Sequence, residues 1–297
     1  MKKRTITGAI MALVFIPLIV IPQLFIPFYI VMGAASLIGA HELIKMYEKE
    51  KEFSKLTKVM IMMVTLFIYL ITSMYTFKIK NIEIGLITNN IGNRFLIGTL
   101  ISLIISLILL VIDKNYNALD VGKTLFIPFY VGLGASMLVV LRLIGLEFIA
   151  YLFLTTVATD VFAYLFGMKF GKHKMAPNIS PKKSWEGAIG GTIMAVMIAG
   201  SFAAFYGKIF DKQYITIISN LNIIKNVNIE IVLIYLFTIC LSITGQLGDL
   251  IASKMKRTYD IKDFGYIFPG HGGILDRFDS AFFASIVLML TIILILM

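Results

Sequence analysis

The segment from Asp249 to Ser280 carries five of the chain's 17 carboxylates: Asp249, Asp260, Asp263, Asp276 and Asp279. It also carries five of its 27 Lys and Arg residues: Lys254, Lys256, Arg257, Lys262 and Arg277. Apolar runs flank it on both sides. Ionisable groups next to lipid are costly and are usually tied to function. Two carboxylate clusters around a cationic, glycine-rich loop suit the joint binding of a metal ion and a polyphosphate. The segment therefore points to nucleotide chemistry at a membrane.

The spacings add detail. Asp249, Ser253 and Lys256 lie at i, i+4 and i+7, which puts them on one face of a helix. Asp276, Asp279 and Ser280 share a face at the start of the last apolar run. A helix dipole also stabilises acidic groups there, so plain N-capping is the competing explanation. Capping leaves Asp249 unaccounted for, because it ends a different run. Between the two lies Pro269-Gly270-His271-Gly272-Gly273, whose backbone N–H groups can converge on an anion. His271 is equally suited to donating to a phosphate and to ordering the loop.

A second polar stretch runs from Phe170-Gly171-Lys172-His173-Lys174 to Ser180-Pro181-Lys182-Lys183-Ser184-Trp185-Glu186-Gly187. Lys182, Lys183 and Ser184 are candidates for phosphate binding, although a basic loop against anionic lipid is the plainer alternative. Ser184 is also placed to cap the next helix. Gly187, Gly190 and Gly191 form a small-residue face suited to close helix packing. Asp160 lies inside an apolar run, with Tyr164 and Gly167 at i+4 and i+7. An intramembrane carboxylate is a site candidate, with a structural hydrogen bond as the alternative. Glu42 is evenly balanced between the two roles. Arg142 is expected on the far side of the membrane, away from the site.

The 297-residue chain is 59% hydrophobic and 15% charged, with mean hydropathy +0.90. A soluble domain is nearer half apolar and a quarter charged. The expected fold class is all-α: a polytopic integral membrane protein with about nine transmembrane helices and a cytoplasm-facing polar site. The runs start near Ile6, Leu24, Val59, Phe95, Thr124, Leu146, Ala188, Ile231 and Phe278. Pro17, Pro22 and Pro27 split the first long run into two spans with a turn near Pro22; one kinked helix is the alternative. The N-terminal Met1–Arg4 and the run that follows are expected to be a retained first span. Residues 1–142 hold about five spans, and residues 143–297 hold about four, with the charged signature at 249–280. With the N-terminus in the cytoplasm, 20 of the 27 Lys and Arg fall on the cytoplasmic side. The net charge of +10 then reflects membrane topology, and no nucleic acid is expected. The single cysteine, Cys240, allows no internal disulfide.

The blocks Ser253-Lys254-Met255-Lys256-Arg257, Lys262-Asp263-Phe264-Gly265, Pro269-Gly270-His271-Gly272-Gly273 and Asp276-Arg277-Phe278-Asp279 resemble the signature of the phosphatidate cytidylyltransferase family, also called CDP-diacylglycerol synthases. Ser180-Pro181-Lys182-Lys183-Ser184 through Gly191, and Asp160 with Tyr164, Gly167 and Phe170-Gly171-Lys172, resemble two further family blocks. The departure is Ser184, where threonine is more frequent; the hydroxyl is kept.

The resemblance implies conversion of CTP and phosphatidate to CDP-diacylglycerol and diphosphate with Mg2+. It implies Asp249, Asp276 and Asp279 as metal ligands. Lys256, Arg257, Lys262, Asp263, His271 and Arg277 become the catalytic set. Asp160, Lys182, Lys183, Ser184, Ser253, Gly272 and Gly273 become substrate contacts. The partners are CTP, phosphatidate and the bilayer, with a homodimer also allowed. The expected location is the plasma or inner membrane, with the site facing the cytoplasm. The alternatives are a CTP-dependent kinase or cytidylyltransferase acting on a polyprenol or ether lipid, and an ion-coupled transporter. The transporter would explain Asp160 and Asp249 but has no need of the glycine-rich loop.

Overall fold

The computed structural model describes residues 2–73, 84–212, 215–219, 226–268 and 270–296, with the backbone alone at 2–7, 9, 12, 84–92 and 296. Pro269 of the glycine-rich loop lies outside these residues, as do Lys78, Lys80 and Lys225 of the expected far side. The protein is an all-α polytopic membrane protein. Among the described residues, eight helical stretches are long and apolar enough to cross a bilayer. They are Pro22–Tyr47, Lys55–Ser73, Asn93–Ile112, Ala118–Ile144, Leu146–Phe170, Trp185–Ala204, Val227–Thr258 and Leu275–Ile295. These match the expected runs. The run expected near Ile6 is helix α1, Lys2–Val20. Helix α2, Phe25–Tyr47, is separate from it. Ile21 is extended before Pro22, and a 3-10 turn, Pro22–Leu24, follows. Proline lacks the N–H needed to continue α1 and pushes its predecessor out of helical geometry.

The chain forms two compact units. The first comprises Met1–Leu143 and Lys256–Phe278; the second comprises Ile144–Met255 and Asp279–Met297. The first unit holds α1, α2, α3 (Lys55–Ser73), α4 (Ile84–Ile112), α5 (Ala118–Ile127) and α6 (Leu133–Ile144). The stretch Leu133–Arg142 of α6 is buried on every side, as expected for a helix apolar all round. A π-turn, Pro128–Gly132, joins α5 to α6; the missing N–H of Pro128 accounts for the irregularity. Polar connections order one loop end. Lys51 pairs with Asp120 at 2.6 Å and Lys123 with Glu50 at 2.8 Å. Asp113 accepts from Thr57 at 2.7 Å and from Ser54, and these hydroxyls hold its carboxyl below the usual range.

Arg142 is a structural residue. Its guanidinium donates to the carbonyls of Ile19, Ile21 and Leu24 at 3.0, 2.7 and 3.3 Å. It also lies over the rings of Phe25 and Phe28. The break at Pro22 interrupts the helical hydrogen-bond ladder, and Arg142 ties the carbonyls on both sides of it together, adding to the Leu24 N–H that Ile21 already accepts at 3.1 Å.

The second unit holds α7 (Leu146–Phe170), α8 (Trp185–Ala195), the short helices α9 (Ser201–Ala204) and α10 (Tyr206–Ile209), and most of α11 (Val227–Thr258) and α12 (Leu275–Leu296). A small antiparallel hairpin, β1 (Lys174–Ala176) and β2 (Ser180–Ser184), was not expected from sequence. The glycine face of α8 packs on α7. A Cβ at Gly187 would stand 2.6 Å from the Ala163 carbonyl, and one at Gly191 would stand 2.6 Å from that of Thr159. Hydroxyls link the spans. Tyr151 meets Thr238 at 2.8 Å, Thr159 meets Ser242 at 2.8 Å, and Ser242 donates to Thr192 at 3.0 Å.

Replacing Arg142 with Leu should remove three charge-assisted hydrogen bonds and lower stability by about 3 kcal/mol. Thermal unfolding in detergent should show a clear drop for Arg142→Leu and little change for Lys114→Ala at an exposed position. Equal midpoints for Arg142→Leu and wild type would remove Arg142 from this role.

Candidate active site

Two carboxylates organise the charged segment of the first unit. Asp276, in the first turn of α12, is 2% exposed at its side chain. Its Oδ1 pairs with Lys256 Nζ at 2.7 Å. Its Oδ2 accepts from the N–H groups of Phe264 and Gly273 at 2.7 and 2.9 Å. The Lys256 ammonium also lies 5.0 Å from the centre of the Phe264 ring. Glu42, near the end of α2, accepts from the N–H groups of Ile274 and Leu275 at 3.0 and 2.9 Å. It thereby caps α12 from a residue far away in sequence. A Cβ at Gly265 or Gly273 would stand 2.2 or 2.1 Å from Glu42 Oε1. Gly272 has φ +82, and a Cβ there would stand 2.6 Å from Asp276 Oδ2. Glycine is required at 272 by backbone conformation as well as by space.

Around this frame Asp263, Tyr266, Phe268, His271, Gly272 and Arg277 line an open pocket of about 520 Å³. The loop closes through Phe268 N–H to the Gly272 carbonyl and His271 N–H to the Phe268 carbonyl, both 2.9 Å. Among the described residues, the buried Nδ1 atom of His271 has no hydrogen-bond partner. Arg257, Lys262 and Arg277 are exposed.

The second unit has its own charged cavity of about 220 Å³, with Asp160, Tyr164, Lys182, Lys183, Ser184 and Asp249 in its lining. Lys183 Nζ pairs with Asp249 Oδ2 at 2.6 Å. Ser184 caps α8 by accepting from Gly187 N–H at 3.2 Å, which fixes the end of β2 that carries both lysines. Glu186 turns back to accept from the N–H groups of Lys172 and His173 and from the His173 ring at 2.6 Å, which anchors the approach to the hairpin.

The proposed site residues thus fall into two groups. Asp160, Lys182, Lys183, Ser184 and Asp249 line one cavity, while Lys256, Asp276, Gly272 and Gly273 form one bonded cluster. Ser253 is 3.5 Å from Asp249 Oδ1, at the limit of a hydrogen bond. Asp279 Oδ1 accepts from its neighbour Ser280 N–H at 2.7 Å. Two residues gain importance. Glu42 was evenly balanced in sequence, because its N–H donors lie more than 200 positions downstream. Gln246 lines the charged cavity and was not singled out; a polar residue inside an apolar run was the available signal.

Residues 2–295 match the cytidylyltransferase family. The chain is a member of that family. This cytidylyltransferase is 33% identical to a phosphatidate cytidylyltransferase of Bacillus subtilis (strain 168) over 95% of the chain and 94% of the relative. It is 35% identical to the protein of the same name from Staphylococcus haemolyticus (strain JCSC1435), over 95% of each. Over 58% of the chain and 60% of the relative it is 42% identical to that of Staphylococcus aureus (strain COL).

In this cytidylyltransferase the Lys256–Asp276 pair should behave as one buried unit. Lys256→Met and Asp276→Asn should each lose roughly 3 kcal/mol, because each leaves a buried partner uncompensated. The double variant should fall short of the sum by about 1–3 kcal/mol. Strictly additive losses in thermal or denaturant unfolding would show that the two do not pair.

Proposed function

We propose that the protein is a phosphatidate cytidylyltransferase, joining CTP and phosphatidate into CDP-diacylglycerol with release of diphosphate. Family membership and the names of its relatives support this reaction. The observation that carries it is the cavity of the second unit, where Lys182, Lys183 and the Ser184 cap stand with two carboxylates on membrane-spanning helices. Such a cavity suits a phosphate that is attached to a lipid.

The nucleophile is an oxygen of the phosphatidate phosphate, largely dianionic at neutral pH because its second pKa is roughly 6. It attacks the α-phosphorus of CTP. The bond to the bridging oxygen breaks and diphosphate leaves with the electron pair. No side-chain nucleophile or strong base is needed; charge neutralisation and in-line placement are. In this scheme Lys182 and Lys183 hold phosphate oxygens. The first unit separately offers Arg257, Lys262, Arg277 and the His271 ring as candidate contacts to phosphate oxygens.

Among the described residues no three His, Cys, Asp or Glu side chains gather to hold a metal unaided. Mg2+ needs only one or two carboxylates and completes its shell with phosphate oxygens and water. Asp249 fits this demand, since its Oδ1 has only the weak Ser253 contact. Both oxygens of Asp276 are engaged, so a cation there would have to displace Lys256 from Oδ1. When bound, Mg2+ would neutralise charge on the triphosphate and on the leaving diphosphate. We place the site on the cytoplasmic side, where the positive-inside distribution puts both charged segments.

The purified protein should form CDP-diacylglycerol and diphosphate from CTP and phosphatidate with Mg2+, and stop on chelation. ATP, GTP and UTP should be poor donors, and preference for a polyprenyl or ether-lipid phosphate would replace the proposed substrate. Lys182→Ala should raise KM for phosphatidate, while Lys262→Ala should weaken all triphosphates alike, because phosphate contacts carry no base information. In a Cys240→Ser background, Lys174→Cys and Tyr266→Cys should both react only with permeant thiol reagents in intact cells. Opposite accessibility would overturn the shared cytoplasmic side.

A further inference from the structure

The charged cavity of the second unit continues into an apolar groove of about 360 Å³. Met175, Ala188 and Gln246 belong to both linings. Beyond them the groove is walled by Trp185, Ile189 and Ile193 of α8 and by Ile243 and Leu247 of α11. Both helices are candidate membrane spans, so the groove runs at lipid depth. Gln246 donates to Thr192 Oγ1 at 3.0 Å and approaches the Ala188 carbonyl at 3.4 Å. It bridges α8 and α11 where the charged cavity meets the groove. Thr192, the other polar group of the groove, is held by Gln246 and Ser242, which leaves isoleucine and leucine surfaces to face an occupant. Ile189, Ile193 and Ile243 are each about half exposed.

We propose that this groove receives an acyl chain of the lipid whose phosphate enters the charged cavity. The inference rests on the lipid-phosphate substrate proposed above. An amphiphile matches the feature in both halves: an anionic head at Lys182 and Lys183, then, past Gln246, an apolar tail. The α8 helix rises ~1.5 Å per residue, so Ile193 stands roughly 13 Å along the axis from Ser184. A short chain ends before that depth and a long one passes it. A tail that leaves lipid for the groove gains no hydrophobic transfer energy, because both surroundings are apolar. What the groove supplies is shape, through packing contacts. Filling it should therefore discriminate by chain length and leave headgroup chemistry intact.

The test compares dihexanoyl with dioleoyl phosphatidate in detergent micelles, with CTP and Mg2+. Ile193→Trp, and Ile243→Phe on the facing wall, should raise KM for the dioleoyl substrate about tenfold or more. Turnover of the dihexanoyl substrate should stay within about twofold of wild type, which also reports that the variants are folded. Val232→Trp, equally exposed on α11 but outside the groove, should leave both substrates unchanged. An active wild type with no chain-length effect in either variant overturns the groove assignment. Parallel loss of both substrates in both variants overturns it too, because a groove deep to the headgroup cannot act that way. A wild type inactive on both phosphatidates overturns the substrate proposal itself.

Discussion

The glycine-rich loop depends on two buried carboxylates, Glu42 and Asp276. Removing a carboxylate from water costs several kcal/mol unless hydrogen bonds replace its hydration. Here nearly every replacement donor is a backbone N–H of the loop or of the first turn of α12: Phe264, Gly273, Ile274 and Leu275. The remaining donor is the Lys256 ammonium. The burial of the carboxylates is therefore compensated only if the loop is folded, and the loop's N–H groups are satisfied only if the carboxylates are in place. The N-terminal dipole of α12 adds to both. Glycine at 265, 272 and 273 follows from the same crowding, since a side chain at any of them would run into a carboxylate oxygen.

Much of this was legible in the chain, and what was not has a common cause. Spans are long, local and apolar, so composition located most of their starts within a few residues, although α4 begins well before Phe95, at Ile84. The small face of α8 and the Ser184 cap are also local patterns. By contrast, Glu42 bonds to Ile274 and Leu275, and Arg142 bonds to carbonyls near Pro22. Both are long-range contacts that one sequence cannot pair. Asp276 was singled out as a metal ligand, but spacing alone did not indicate that a lysine and two backbone amides occupy it. The β1–β2 hairpin is too short to produce a recognisable alternation.

Within the second unit, a stripe of polar side chains on α11 runs toward the charged cavity. Thr238, Ser242, Gln246 and Asp249 follow at spacings of four, four and three, which is one helical face. The first three meet Tyr151, Thr159 and Thr192 on the neighbouring spans α7 and α8. Hydrogen bonds of this kind fix rotation and register between spans where the hydrophobic effect is absent. Their consequence lies at the end of the stripe: Asp249 is brought to Lys183 in a cavity that Asp160 also lines. The hydroxyls deep in the spans thus aim charged groups that they never touch.

The Lys183–Asp249 pair bears on how such a cavity can work. Both side chains remain partly exposed, 25% and 33%, so the pair is screened and exchangeable. An anion that binds Lys183 must compete with Asp249 and leaves that carboxylate's Oδ2 available to a cation. Separate binding would leave one member uncompensated; joint binding of anion and cation restores neutrality on both sides. Under the proposed reaction, the lipid phosphate at Lys182 and Lys183 supplies the anion, and a divalent cation at Asp249 completes the exchange. The arrangement therefore favours binding of the cation together with the lipid phosphate, a coupling set by charge balance at a single ion pair.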